Sequence, residues 1–172
     1  MAVMVEAVEA EHTQAFEDFF DAQYERLLRV LFLATGDRHE AEDLAQEAFV
    51  RVYERWPRVG RLENPAGYLY RVALNARRSR LRRIRVAAAK ALRLRPEPPA
   101  DPQEAAEDRL AVRRALATLP AGQREAVVLV EWLGLTDAQA GEVLGLSPGA
   151  VRTRLHRARS ALRDLLRGDD DV

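Results

Sequence analysis

Six arginines and a single acid, Asp164, fall between Ser147 and Arg167. Wound as a helix, this stretch gathers Val151, Leu155, Ala158 and Leu162 on one face. Thr153, His156, Arg157 and Ser160 point the opposite way, Arg152 and Arg159 flank them, and Arg154 lies on the other shoulder. Forked guanidiniums grip phosphates, and Thr, His and Arg side chains reach base edges in a major groove, so the pattern fits duplex DNA. An ordinary helical hairpin with a solvated basic face is the alternative. His156 by itself is better read as a surface hydrogen-bonding residue than as a metal ligand.

A second row begins near Asn64. Arg71, Asn75, Arg78, Arg82 and Arg85 recur at steps of four and three and so line one helical face, with Arg77, Arg80 and Arg83 beside it. Tyr68 and Tyr70 sit near its start, where rings could pack in a core or stack on a base. Donors, an amide and nearby aromatics suit a nucleic-acid backbone, including a single strand. Residues 61–95 hold 11 basic side chains against Glu63 alone, although a charge run is also the usual form of a solvated face. A third row is acidic: Glu42, Asp43, Gln46 and Glu47, with Arg51 and Glu54 further along. An acidic surface avoids DNA and is a candidate protein-docking face, yet acids in a first helical turn also stabilise the helix dipole.

Catalysis finds no footing. There is no glycine-rich phosphate loop, no H-E-x-x-H and no G-x-S-x-G, and no cofactor is called for. With no cysteine among 172 residues, disulfides, thiolate metal sites and a cysteine nucleophile are excluded. The start of the chain carries Glu6, Glu9 and Glu11 without a basic residue, and no apolar run has the length of a membrane span, which predicts a cytoplasmic protein without membrane insertion. The formal net charge of +0 conceals a segregated chain: 6 basic and 13 acidic side chains in residues 1–60, and 10 and 13 in residues 96–172.

The elements that must position these rows are helical, because apolar residues recur at helical spacing and no run alternates over a strand's length. A first helix is predicted from about Thr13 to Thr35, stopped by Gly36. Asp37 with Glu40 forms a D-x-x-E capping box for a second helix, whose inward stripe from Ala41 to Trp56 ends at Pro57. Asn64 as cap and Pro65 at the first position start a third helix to about Ile84. Four of the eight prolines fall between Pro96 and Pro102, marking a linker. Beyond it come a helix to about Leu119, a break at Pro120 and Gly122, and a helix bearing Val127 to Leu133. Thr136 and Gln139 then cap a short helix, and Ser147 and Pro148 start the arginine helix. Small Gly141, turn residue Gly145 and apolar Val151 have the spacing of a helix-turn-helix. The expected fold is all-α, with two helical lobes at 13–85 and 106–167, tails at 1–12 and 168–172, and a linker at 86–105.

These rows, in this order, resemble the extracytoplasmic-function sigma factors of bacterial RNA polymerase. The run Asp37 to Tyr53 resembles their region 2 core, Asn64 to Asn75 the promoter-melting helix, and Leu119 to Arg159 their region 4. The resemblance implies that Asp43, Gln46 and Glu47, on the face that also bears Glu42, dock on the clamp of the largest polymerase subunit. It implies that Arg58, Arg61 and Asn64 of the loop, with Arg71, Asn75, Arg78 and Arg82 of the helix, hold unpaired non-template bases of the −10 element. The last helix, through Arg152, Thr153, Arg154, His156, Arg157, Arg159 and Ser160, would read the −35 duplex. The linker would run towards the active-site channel, the flap of the second largest subunit would be a further contact, and control would come from an anti-sigma protein. Three positions depart from the pattern: Tyr68 stands where relatives often have Trp, Gln139-Ala140-Gly141 replaces Glu-Ile-Ala, and Ala150 replaces a frequent Thr. Gly141 lowers helix propensity by roughly 1 kcal/mol relative to Ala, which predicts a looser lobe. Two other readings remain open at this point: a dimeric helix-turn-helix regulator that needs no polymerase, and a helical adaptor that binds no DNA.

Overall fold

The computed structural model describes the backbone of residues 2–90 and 107–169 and the side chains of 13–87 and 111–165. Among these residues every regular element is helical: α1 (Ala2–Thr35), α2 (Arg38–Tyr53), α3 (Trp56–Val59), α4 (Pro65–Lys90), α5 (Glu107–Thr118), α6 (Ala121–Val127), α7 (Asp137–Leu144) and α8 (Pro148–Asp169). Two compact units result, one of residues 1–29 and 41–97 and the other of residues 30–40 and 98–172.

Local chemistry sets most of the boundaries. Gly36 turns with φ 80° and donates its N–H to the Phe32 carbonyl at 2.8 Å, which closes α1. Asp37 Oδ1 accepts the Glu40 N–H at 2.8 Å and starts α2. The expected reciprocal bond is replaced, because Thr35 Oγ1 takes the Asp37 N–H at 3.1 Å. Asn64 Oδ1 accepts the Gly67 N–H at 2.8 Å and caps α4.

Three boundaries differ from the sequence reading. Helix α1 reaches back to Ala2, so the stretch read as a tail at 1–12 is helical from that residue. Helix α2 ends at Tyr53, and Trp56–Val59 form a separate turn with Pro57 near its start, where a missing N–H breaks no helical bond. Proline therefore begins a helix here instead of only ending one. Helix α4 passes Ile84 and continues to Lys90, into the segment read as linker; residues 91–106, with the prolines that mark it, lie outside the described residues, as do the last residues of the acidic tail at 170–172.

The core of the first unit is Leu27, Leu44, Ala45, Ala48, Phe49, Val52, Leu69, Ala73 and Leu74, its α2 members belonging to the inward stripe expected from Ala41 to Trp56. Aromatic edges extend it: Phe16 meets Trp56 at 5.3 Å and Phe20 meets Phe49 at 4.6 Å between ring centroids. In the second unit Leu129, Val128, Ala140, Val143, Val151, Leu155 and Ala158 are buried. Arg124 ties this unit at the backbone, donating to the carbonyls of Ala34, Ala117 and Leu119 at 3.0, 2.9 and 3.1 Å. Helix α6 passes into a π-helical turn over Val128–Trp132, where the Leu133 N–H reaches back five residues to the Val128 carbonyl at 3.1 Å.

Candidate functional site

The helix-turn-helix is built as its sequence requires. The Thr136 capping box is complete: the Gln139 N–H donates to Thr136 Oγ1 at 3.2 Å, and Gln139 Oε1 accepts the Thr136 N–H at 2.9 Å. Gly145 takes the left-handed conformation, φ 68°, and ends α7. Ser147 Oγ accepts the Ala150 N–H at 3.2 Å at the start of α8. At Gly141 α7 packs tightly on the turn that follows it, since a Cβ there would lie 2.7 Å from the Leu146 carbonyl oxygen. The glycine that departs from the relatives is thus a close-approach residue.

On α8 the buried and exposed sides alternate cleanly. Val151, Leu155 and Ala158 are buried, while Arg152, Thr153, His156, Arg157 and Arg159 are exposed together and Ser160 is part-buried. Their company differs. His156 and Arg157 have no polar side-chain partner among the described residues. Arg152 lies 3.5 Å from Asp137 of α7. Arg159 sends both Nε, at 3.1 Å, and Nη2 to Glu131 Oε1 in the π-turn. Thr153 donates its hydroxyl to the Gly149 carbonyl at 3.0 Å and so keeps only acceptor capacity and a methyl group. Arg154 is apart from this set: it is part-buried, with Nη1 3.4 Å from the Gly122 carbonyl and its guanidinium resting where a Cβ of Gly122 would stand.

The α4 row is also assembled. Arg71, Asn75 and Arg82 are exposed and Arg78 is part-buried, with Arg78 Nη1 3.4 Å from Asn75 Oδ1. Arg58 and Arg61 are exposed beside it on α3 and the following loop, and Asn64 spends its amide oxygen on the α4 cap. The two tyrosines separate. Tyr70 is 5% exposed in the core, its hydroxyl directed at Gln23 Oε1 at 3.5 Å. Burial pushes this hydroxyl above its ordinary pKa, and the charge of Arg26 offsets part of the shift. Tyr68 is part-buried at position i−3 from Arg71, at the head of the exposed stripe, and its hydroxyl accepts from Arg55 Nη1 at 3.1 Å. That contact raises the Arg55 pKa further. Arg55 was not singled out from the sequence, and only its distance of 13 residues from Tyr68 hid the pairing.

On α2, Asp43, Gln46 and Glu47 are exposed and Glu42 is part-buried. Glu47 pairs with Arg51 at 2.5 Å, and Asp43 lies 3.5 Å from Arg80 of α4. Beside Gln46 opens a cleft of about 790 Å³ lined by Phe16, Phe20, Phe49, Val50 and Tyr53. Val50 and Tyr53 are more than half exposed, so the acidic face borders an apolar one, a feature that charge counting could not reveal. No helix among the described residues is long and apolar enough to cross a membrane.

Two families match the chain: that described as Sigma-70 region 2 over residues 19–86, and that described as Sigma-70, region 4 over residues 109–162. The chain is 32% identical to the ECF RNA polymerase sigma factor SigW of Bacillus subtilis over 89% of each chain. This protein belongs to the extracytoplasmic-function sigma factors. A second relative, the sigma factor ShbA of Streptomyces griseus, is 38% identical over 76% of this chain and 74% of its own. The fold is that of the sigma factor RpoE crystallised with the anti-sigma factor NepR from Bartonella quintana (TM-score 0.76, 22% identity, covering 88% of this chain and 96% of the other). Membership sets aside the adaptor and the polymerase-independent regulator. As a sigma factor the protein directs RNA polymerase to promoters and is not itself an enzyme.

Proposed function

We propose that this sigma factor divides promoter recognition between its two cationic helices. The exposed side of α8 reads the −35 duplex, with His156 and Arg157 at base edges and Arg152 and Arg159 at phosphates. The α4 row, from Arg71 through Asn75 and Arg78 to Arg82, together with Arg58, Arg61 and Asn64, holds the unpaired non-template strand of the −10 element. The observation that carries this reading is the α8 geometry: a capped turn, a buried apolar side, and a continuous exposed edge of forked donors.

Asp43, Gln46 and Glu47, with the apolar Val50 and Tyr53 beside them, dock on the clamp of the largest subunit of core polymerase. The second unit has its own apolar cleft of about 700 Å³, lined by Val112, Leu116, Val127, Trp132 and Leu165, which supports a contact with the flap of the second largest subunit. An anti-sigma protein is the proposed regulator, since a sigma factor of similar fold is found in complex with one. Two recognition lobes gain from their tether only when a scaffold fixes their spacing, so promoter binding without polymerase is weak.

Run-off transcription with core polymerase on a promoter library tests the reading and yields the −35 and −10 sequences. On the selected promoter, Arg157→Ala costs about 1–3 kcal/mol at one −35 base pair. Equal loss on every sequence would make Arg157 a phosphate contact.

A further inference from the structure

Two of the α8 arginines assigned to phosphates already hold carboxylates, whereas the two side chains assigned to base edges do not. Arg159 turns its Nε and Nη2 edge, the one that forks onto a phosphate, to Glu131. Arg152 faces Asp137 at 3.5 Å. Both acids come from the elements just before α8 in the chain, Glu131 from the π-turn and Asp137 from the first turn of α7. The pairs are solvent-exposed: the side chains are 57% and 48% exposed for Arg159 and Glu131, and 65% and 29% for Arg152 and Asp137. Exposed pairs are weak and exchange readily, so a DNA phosphate can replace either carboxylate.

We propose that Glu131 and Asp137 act as built-in competitors of DNA phosphate, lowering the affinity of α8 for DNA of any sequence while leaving base reading at His156 and Arg157 untouched. The proposal rests on the assignment of α8 to the −35 duplex. Its physical basis is that sequence-independent affinity comes from phosphate contacts and counterion release. A carboxylate already seated on an arginine reduces the charge that arginine can neutralise, and it adds repulsion towards the strand. Bulk DNA then holds less of the free sigma factor, and the contacts that identify a promoter retain their full discrimination.

The test compares full-length wild type with Glu131→Gln, Asp137→Asn and the double variant, each alone and in holoenzyme, on duplex probes bearing the selected −35 element or a scrambled one. Binding is measured across a salt series, and thermal unfolding verifies that each variant is folded. Each single substitution should tighten binding to both probes by the same factor, roughly two- to fivefold at low salt, the range set by a surface pair. The log–log salt slope should steepen by about 0.9 for each arginine released. In an Arg159→Ala background, Glu131→Gln should tighten binding by a smaller factor than in the wild type, because only the repulsion remains to be removed. Weaker or unchanged binding by both single variants overturns the proposal, since the acids would then brace the arginines or do nothing. Arg157→Ala and Arg159→Ala separate the two levels: if neither weakens the duplex probe, the assignment of α8 itself falls; if they do and the acid variants change nothing, only the competitor role falls.

Discussion

The two cationic helices use the same side chain in different company. On α8 the flanking arginines are held: Arg152 by Asp137, Arg159 by Glu131 and Arg154 by the Gly122 carbonyl. On α4, Arg71 and Arg82 have no carboxylate partner among the described residues, and the ion pair of Arg80 with Asp43 lies off the stripe. A duplex presents phosphates at fixed spacing, and the carboxylates already seated on the flanking arginines temper the attraction that spacing would otherwise allow. An unpaired strand is flexible, and a loose row that starts at a braced ring suits it better. Charge counting sees two basic strips; the structure shows carboxylates on the flanking arginines of one and none on Arg71 and Arg82 of the other.

The largest effect that can break this contrast is at Gly141. Alanine there raises helix propensity by roughly 1 kcal/mol, but its Cβ would stand 2.7 Å from the Leu146 carbonyl oxygen, a backbone atom that cannot swing aside. Overpacking of this kind costs about 1–3 kcal/mol, so the clash wins and the helix-turn-helix opens. Gly141→Ala should lower the unfolding midpoint and abolish −35 dependence, while transcription from a template already opened at −10 persists. A midpoint that rises would show that the turn relaxes, and the looser lobe expected from propensity alone would be the better description.

Next is the head of the α4 stripe. Tyr68→Ala in holoenzyme should weaken binding to a −10 single-stranded oligonucleotide by about 1–3 kcal/mol, the usual worth of one base on an aromatic ring. Tyr68→Phe keeps the ring but frees Arg55, and a smaller loss, matched by Arg55→Ala, is expected. Duplex −35 binding should not change. If Tyr68→Ala leaves the oligonucleotide bound as before while Arg71→Ala releases it, the row is electrostatic throughout and has no stacking station.

Periodicity and caps carried most of the architecture from the sequence alone. Asn64, Thr136, Gly145 and Ser147 each form the bond or turn their types dictate, because a cap is decided within four residues. What stayed hidden depends on long-range approach. Arg159 and Glu131 are 28 residues apart, and no pattern in either segment announces the pair. Tyr68 and Tyr70 look alike in a sequence, yet a rotation of two residues sends one to the stripe and the other to the core. Pro57 reads as a stop in the sequence because the ring forbids a helical interior; that it also suits a helical first turn is visible only in the folded chain.

A smaller effect concerns the acidic face. Charge reversal at both Asp43 and Glu47 should weaken holoenzyme formation while the isolated protein stays folded, because both side chains are exposed. Arg80→Ala removes the neighbour of Asp43 and, through a surface pair worth at most about 1 kcal/mol, should change assembly only slightly. Competition between wild type and variants for core polymerase measures both. If Arg80→Ala proved as damaging as the reversal, α4 would belong to the docking face, and its separation into an open nucleic-acid row would fail.

The smallest effect tests the opposite fate of the second tyrosine. Buried Tyr70 has a raised pKa in the folded chain, whereas in the unfolded chain it titrates near its ordinary value of about 10. Below that pH both states keep the proton and the hydroxyl favours neither. Above it the unfolded state ionises first, so stability falls by about 1.4 kcal/mol per pH unit until the folded form ionises as well. Tyr70→Phe gives up a long hydrogen bond to Gln23, a loss of about 0.5–1.5 kcal/mol near neutrality, but should flatten the alkaline limb. Lys90 is the only lysine in the chain, arginines stay protonated throughout this window, and the other three tyrosines are common to both proteins, so the difference between the two curves belongs to Tyr70. Urea midpoints between pH 8 and 11, as a rough range around the tyrosine pKa, should therefore converge for the two proteins as pH rises. Parallel curves would mean that the Tyr70 hydroxyl ionises as easily folded as unfolded, and that this ring is open to water.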